Sequence, residues 1–244
     1  MQKLILPIAF FSLVILSPFQ STSQTVKSGQ NISAPKIFLV YPKNGTPFDR
    51  ECGSFMQKPV EKSSIDEAAS RLGEFQDLWD KDGALFMETA LQEVGVPFPY
   101  REMQATLTVC DLSSVSSPLI INVKGFLSSA VNQHPLWAFP EIVFHEVMHT
   151  YVRNVYDISP LRKKYASEPP VVLNHLHEMA LEKMILVKLN RGELLNWVDN
   201  RYRNLFPPVY KRAWEIVNDI EGYEAFIDEL KTMPSSQSVR NTSK

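Results

Sequence analysis

The distribution of apolar residues divides the chain into a first half with strand signals and a second half that is helical. Short runs of β-branched and aromatic residues predict three strands, at residues 36–42, 103–112 and 118–123. Between the first two strands, apolar residues recur at helical spacing over residues 63–94, and Gly83 is expected to break or bend that helix. Helical spacing resumes at Pro140 and continues as four or five helices. The pattern therefore predicts an α+β fold, with a small mixed sheet and packed helices first and a mostly helical C-terminal half.

The two ends of the chain differ from the rest. Lys3 precedes an apolar stretch of 13 residues, 4–16, which is followed by small polar residues. This order is typical of a secretory signal peptide, and the stretch is shorter than the roughly 20 residues that a bilayer span requires. We expect residues 1–23 to be removed on export, which makes the protein secreted or periplasmic and leaves no stable membrane span. The remaining segments are interpreted as a flexible lead-in, a single domain and a disordered tail, at residues 24–35, 36–233 and 234–244.

Composition and charge narrow the possible partners. Apolar residues make up 44% of the chain and charged residues 21%, which is ordinary for a globular protein. The net charge is −2 and no extended basic stripe occurs, so nucleic acid is not an expected partner. Cys52 and Cys110 are too few for a cysteine-based zinc finger. Because export permits oxidation, they either form a disulfide across a loop of 58 residues or remain buried thiols, and both alternatives stay open.

Residues 145–149 form an HExxH motif within a predicted helix. Positions i and i+4 lie on one face of a helix, so His145 and His149 can bind one Zn²⁺. Glu146 lies on the adjoining part of that face and can take a proton from a water molecule that the metal activates. The neighbouring residues are mostly apolar, so the helix is expected to be buried, where a metal ion would satisfy both histidines at once. The alternative is that they form hydrogen bonds within the core.

A catalytic zinc site needs a third protein ligand. The helix predicted after Pro169 and Pro170 carries three candidates, His175, His177 and Glu178. The two histidines are about 160° apart around a helix, so both cannot face one ion, and they flank the apolar stripe at similar angles. Glu178 lies on the far side of that stripe. We expect one of the two histidines to be the ligand, with Glu178 or a ligand elsewhere in the chain as the alternatives.

The HExxH motif with a ligand on a later helix resembles the zincin metallopeptidases, over residues 137–189. The arrangement is similar to the thermolysin-like, gluzincin branch, whereas the metzincin continuation is absent from residues 154–159. The usual gluzincin third ligand is a glutamate, so a histidine there is a departure. The resemblance implies a zincin-like catalytic domain with an edge strand beside the HExxH helix that binds extended peptide. Residues 118–123 are placed to be that strand.

These features together predict a secreted zinc-dependent metallopeptidase that acts on a peptide or protein substrate. Zn²⁺ is the expected cofactor and Glu146 the expected general base. A further donor to the oxyanion is expected, and Tyr151, His134 and Tyr210 are all available. Two alternatives remain: a zinc hydrolase acting on a non-peptide amide, and a catalytically silent binding protein on a zincin scaffold. The intact Glu146 argues against the second, because a silent protein has no need of a base.

Overall fold

The structure, a computed structural model, describes residues 32–232. The predicted signal peptide at residues 1–23 and the predicted tail at residues 234–244 lie outside the described residues, as does most of the predicted lead-in. Residues 32–232 form an α+β fold with one small mixed sheet in the first half and helices in the second, which confirms the predicted class. No helix within these residues is long and apolar enough to cross a membrane.

Four strands build the sheet in the order β1-β2-β4-β3. They are β1 (Lys36–Val40), β2 (Glu102–Thr108), β3 (Val115–Ser116) and β4 (Leu119–Asn122). Strands β1, β2 and β4 are parallel, and β3 is antiparallel to β4. The edge beside β4 is therefore β3, whereas the sequence analysis assigned the edge to residues 118–123. A strand of two residues is too short to give a pattern of its own, and a two-residue turn folds it directly back onto β4.

Helices occupy most of the remaining described chain. The first half contains α1 (Pro47–Met56), α2 (Lys62–Ser70), α3 (Leu72–Leu78) and α4 (Ala84–Val94). The second half contains α5 (Phe139–Val152), α6 (Pro160–Lys164), α7 (Pro170–Lys188), α8 (Gly192–Asn200), α9 (Pro208–Glu215) and α10 (Tyr223–Thr232). The sequence predicted four or five helices here, and the structure has six in the described part of the chain. The additional helix is α6, which is too short to give a clear pattern.

Helix α1 was missed by the hydrophobic pattern, although its first turn carries a start signal. The Thr46 hydroxyl accepts a hydrogen bond from the Asp49 backbone N–H, and Asp49 Oδ2 accepts one from the Thr46 N–H at 2.7 Å. This reciprocal capping box, with Pro47 in the first turn, begins the helix. Asp49 Oδ1 also accepts from the hydroxyl of Thr108 at 2.7 Å and the N–H of Val109 at 2.8 Å. One buried carboxylate thus joins α1 to the end of β2.

A disulfide reinforces the same junction. Cys52 on α1 and Cys110 after β2 are bridged, with their Cα atoms 5.6 Å apart. Of the two alternatives left open by the sequence, the structure contains the disulfide.

Helix α5, which carries the HExxH motif, is buried almost all round, as its apolar sequence predicts. It packs against β3, β4, α3, α7 and the π-helical turn Trp79–Gly83. Pro140 lies in its first turn, and Val143, Phe144 and Val147 are fully buried. Both faces of the helix are therefore fixed by packing, which fixes the direction of its polar side chains.

The π-helical turn Trp79–Gly83 joins α3 to α4, at the place where Gly83 was expected to break or bend the helix. A Cβ atom at Gly83 would lie 2.1 Å from Cε3 of Trp79. Only glycine leaves room for this indole, which is buried in the layer that supports α5.

Gly83→Ala is expected to lower the free energy of unfolding by about 1–3 kcal/mol, because Trp79 and the backbone must move apart. Gly73→Ala is the control: Gly73 lies on α3 with nothing within 4 Å of its added Cβ. That change should raise the free energy of unfolding by about 0.5–1 kcal/mol. Urea denaturation measures both, and equal effects would contradict the packing described for Gly83.

Candidate metal centre

Three histidine rings converge between α5 and α7. The Nε2 atoms of His145 and His149, one turn apart on α5, are 3.3 Å from each other. His175 joins them from α7, with its ring centroid 4.7 Å from that of His149 and 5.4 Å from that of His145. One nitrogen of each ring lies within 4.8 Å of the other two. Two nitrogens bound to a tetrahedral ion at 2.0–2.1 Å would be about 3.3–3.4 Å apart, so the pair on α5 already has that spacing.

The other nitrogen of each ring has a partner of its own. His175 Nδ1 donates to the backbone oxygen of Val171, one turn earlier on α7, at 2.6 Å. His149 Nδ1 lies 3.5 Å from the hydroxyl of Tyr156, which donates to a backbone oxygen of α7 at 3.0 Å. Such partners select the tautomer with hydrogen on Nδ1 and leave the Nε2 lone pair available to a metal.

His145 is held by a two-step relay. Its Nδ1 donates to the Tyr202 hydroxyl at 3.0 Å, and that hydroxyl donates to Glu182 Oε2 at 3.0 Å. Glu178 Oε1 is also 2.9 Å from Nδ1 and forms an ion pair with the charged ring. Glu141, Glu178 and Glu182 are all buried, so this side of His145 is a layer of carboxyl groups.

The ionisation of two of the three rings suits metal binding directly. Burial, aided by the neighbouring charge of His145, lowers the pKa of His149 to about 2 and that of His175 to about 4. Both rings are therefore neutral near pH 7 and have a lone pair to offer. Burial acts against the charged form of His145 as well, but the charge of Glu178 raises its pKa well above the ordinary value. A metal ion bound at Nε2 of His145 would replace one proton of this imidazolium.

Glu146 faces a cleft of about 690 Å³ that His145 also lines. Its side chain is 8% exposed, and burial raises the pKa of its carboxyl above the ordinary value of 4.5. A carboxylate with a raised pKa at the wall of a cleft is suited to accept and release a proton.

The other residues singled out in the sequence divide between this centre and the core. His177 points away from the cluster: it is fully buried, and its Nε2 contacts Glu229 Oε2 at 2.5 Å. Glu178 contacts the Nδ1 side of His145 and is not part of the three-histidine group. Of the three possible oxyanion donors, Tyr151 donates to a backbone oxygen at 2.9 Å within the core.

His134 and Tyr210 both line the cleft, but only Tyr210 is next to the histidine cluster. The ring centroid of Tyr210 is 4.6 Å from that of His175. His134 instead packs against Phe126 and Trp197, at 5.4 and 5.7 Å between ring centroids. The geometry thus separates three candidates that the sequence left equal.

Four residues of the site escaped the sequence analysis, namely Glu141, Glu182, Tyr202 and Arg201. Two of them had a signal: Glu141 lies four residues before His145, and Glu182 four residues after Glu178, on helices that are otherwise largely apolar. Acidic residues one turn from a ligand on a buried helix require partners, so they belong on a list of candidates. The other two lie on the π-helical turn Arg201–Leu205, which the apolar pattern did not indicate.

The residues present fit a metal ion. The described chain contains a group of buried or nearly buried His and Glu side chains that could hold one, with three imidazole nitrogens turned towards a common point. No family model matches the chain, and no curated protein or solved structure matches it. Its function must therefore be inferred from the chemistry of this centre.

His175→Ala is expected to abolish stoichiometric binding of a divalent metal, because two ligands remain. His177→Gln is the matched variant: it lies two residues away on the same helix, and its amide can still donate to Glu229. It should keep about one metal ion per chain. Elemental analysis after equilibration with Zn²⁺ and removal of free metal measures both. Loss of metal from the His177 variant alone would contradict the assignment of His175 to the centre.

Tyr202→Phe is expected to weaken metal binding by about 10–100-fold, because it interrupts the relay that orients His145. Tyr151→Phe is its control, since that hydroxyl bonds a backbone oxygen remote from the histidines. Competition with a zinc chelator gives both affinities. Equal affinities in the two variants would show that Tyr202 does not orient the ligand.

Proposed function

We propose that the protein is a zinc-dependent peptidase, exported from the cell, with a zincin-like fold. One observation carries the proposal: three histidines with their Nδ1 atoms already engaged turn Nε2 towards one point, beside a glutamate that lines a cleft. Imidazole ligands in a nearly buried group suit zinc, and three protein ligands leave a coordination position open, as in catalytic zinc sites. The disulfide supports export, since such bonds persist in oxidising compartments.

The residues of this chain have distinct parts in the proposed reaction. When bound by His145, His149 and His175, zinc supplies a Lewis acid that makes water a stronger nucleophile near pH 7 and polarises a carbonyl. Glu146 takes the proton from the attacking water on its carboxylate and passes it to the leaving amine.

Tyr210 is the best-placed side chain to donate a hydrogen bond to the oxyanion. It lies at the cleft, against the ring of His175. No hydrogen bond occupies its hydroxyl among residues 32–232, so it is free to donate to substrate. A donor of this kind contributes by being in place before charge develops.

The position of the sheet supports a peptide substrate. Strand β3, which packs beside α5, takes the edge place that the zincin resemblance gives to a peptide-binding strand. Residues that precede β3, among them Ser113 and Ser114, line the same cleft as Glu146. An extended peptide in the cleft would therefore lie between this edge and the histidine cluster.

Glu146→Gln is expected to keep zinc and to lower kcat for peptide cleavage by about 10²–10⁴-fold, since the amide cannot take the proton. Digestion of a peptide library followed by mass spectrometry detects the activity, and elemental analysis confirms the metal. Tyr210→Phe should lower kcat less and also keep zinc.

Two results would overturn the proposal. A zinc-loaded wild type that cleaves no peptide would do so, and cleavage of a non-peptide amide by that same protein would redirect it to the other hydrolase class. Undiminished cleavage by the Glu146→Gln variant would show that Glu146 is not the general base.

A further inference from the structure

A second functional group faces the cleft beside the metal centre. Arg201 is the first residue of the π-helical turn that follows α8, and it lines the cleft together with Glu146 and Tyr210. Its neighbour in sequence, Tyr202, holds His145. The same irregular turn therefore fixes a ligand of the metal centre and presents a guanidinium to the cleft. Its side chain is 14% exposed.

The guanidinium packs against two aromatic rings. Its central carbon is 4.2 Å from the ring centroid of Trp197 and 4.5 Å from that of Phe206. Such cation–π contacts favour a fixed position and remove the cost of ordering a flexible side chain when a ligand binds. The side chain of Arg201 is therefore preorganised for ligand binding.

The donors of Arg201 lack acceptors within the protein. Among residues 32–232, its guanidinium donates no hydrogen bond, and the carboxylate it pairs with, Glu141, is 3.8 Å away at Oε2. Arg203 on the same turn is different: it donates to Asp199 at 2.8 Å and to Asp219 at 2.9 and 3.0 Å. Arg162, which is also partly buried, donates to two backbone oxygens and to Asn174. A mostly buried guanidinium whose N–H groups lack acceptors is typical of an anion-binding site.

We propose that Arg201 binds a carboxylate of the substrate, within the same cleft in which Glu146 acts. A carboxylate matches the two parallel N–H groups of a guanidinium and can be bound by both. Glu141 Oε2 lies 3.8 Å from the guanidinium, so a planar carboxylate, which needs only two parallel N–H groups, suits the place better than a multiply charged phosphate does. The proposal rests on the proposed peptidase function and names its substrate class: peptides with a carboxylate close to the scissile bond.

Two parts of a peptide can supply this carboxylate, the C-terminus or the side chain of Asp or Glu. Three kinds of octapeptide separate them. The first has a free C-terminus and no acidic side chain, and the second is the same sequence as a C-terminal amide. The third is a set of amides in which one Gln is replaced by Glu at each position in turn.

Binding is measured by calorimetry on zinc-loaded protein carrying Glu146→Gln, which prevents turnover. We expect the free-acid peptide, or one member of the Glu set, to bind about 10–100-fold more tightly than the neutral amide. Adding Arg201→Gln should reduce that ratio to about 1, and Arg201→Lys should leave only part of it. Arg203→Gln, on the same turn, should leave the ratio unchanged, which separates anion binding from support of the fold.

The outcomes distinguish the two proposals. Equal binding of all peptides, no binding of any, or a preference that survives Arg201→Gln overturns the assignment of Arg201. A carboxylate preference that depends on Arg201, in a protein whose intact Glu146 form cleaves none of the peptides, keeps the carboxylate site and rejects the peptidase. In an active protein, Arg201→Gln should lower kcat/KM for the preferred peptide by about 10–100-fold more than it lowers kcat/KM for the neutral amide.

Discussion

The site depends on the satisfaction of polar groups on a helix that is buried almost all round. Helix α5 places two imidazoles and a carboxyl among apolar residues, where an unpaired polar group costs on the order of 1–3 kcal/mol. Within the described residues, the fold supplies hydrogen-bond partners only on the Nδ1 side of the two histidine rings. A hydroxyl partner lies near the Nδ1 atom of each histidine on α5, while their Nε2 atoms face each other at 3.3 Å. A divalent cation that replaced the His145 proton at this point would satisfy both Nε2 atoms at once.

Charge balance points the same way. Three buried glutamates lie behind His145, and Glu146 lies in front of it. The positive charges in contact with this group are His145 itself and Arg201 at 3.8 Å from Glu141. Burial raises the pKa of Glu141 well above its ordinary value and that of Glu178 to about 7, and a divalent ion at the histidines would favour their ionised forms. The centre and its supporting carboxyl groups are therefore one electrostatic unit, and a change in either one affects the other.

Local sequence predicted those parts of the fold and the site that depend on local geometry. The spacing of His145 and His149 and the prolines that begin α5 and α7 act within one or two helical turns, so they could be recognised without the fold. The choice between His175 and His177 could not. Both flank the apolar stripe of α7, and what separates them is distant: Glu229 on α10 contacts His177, whereas His175 meets the histidines of α5.

The difference between local patterns and distant contacts also explains which residues the sequence analysis missed. Tyr202 and Arg201 lie on a π-helical turn, whose extra residue per turn departs from the spacing that reveals a helix. The edge strand β3 exists because a turn returns it to β4, a pairing without a pattern of its own. Glu141 and Glu182 could have been found, since acidic residues one turn from a ligand or from another acid on an apolar helix are unusual.

The most direct test of the central claim is X-ray absorption at the zinc edge of the purified, zinc-loaded protein. Three imidazole ligands are predicted, with nitrogen at about 2.0–2.1 Å and the outer-shell scattering of three rings, plus one oxygen donor. Scattering from two rings or fewer, or a failure of the protein to retain zinc at all, would contradict the three-histidine centre.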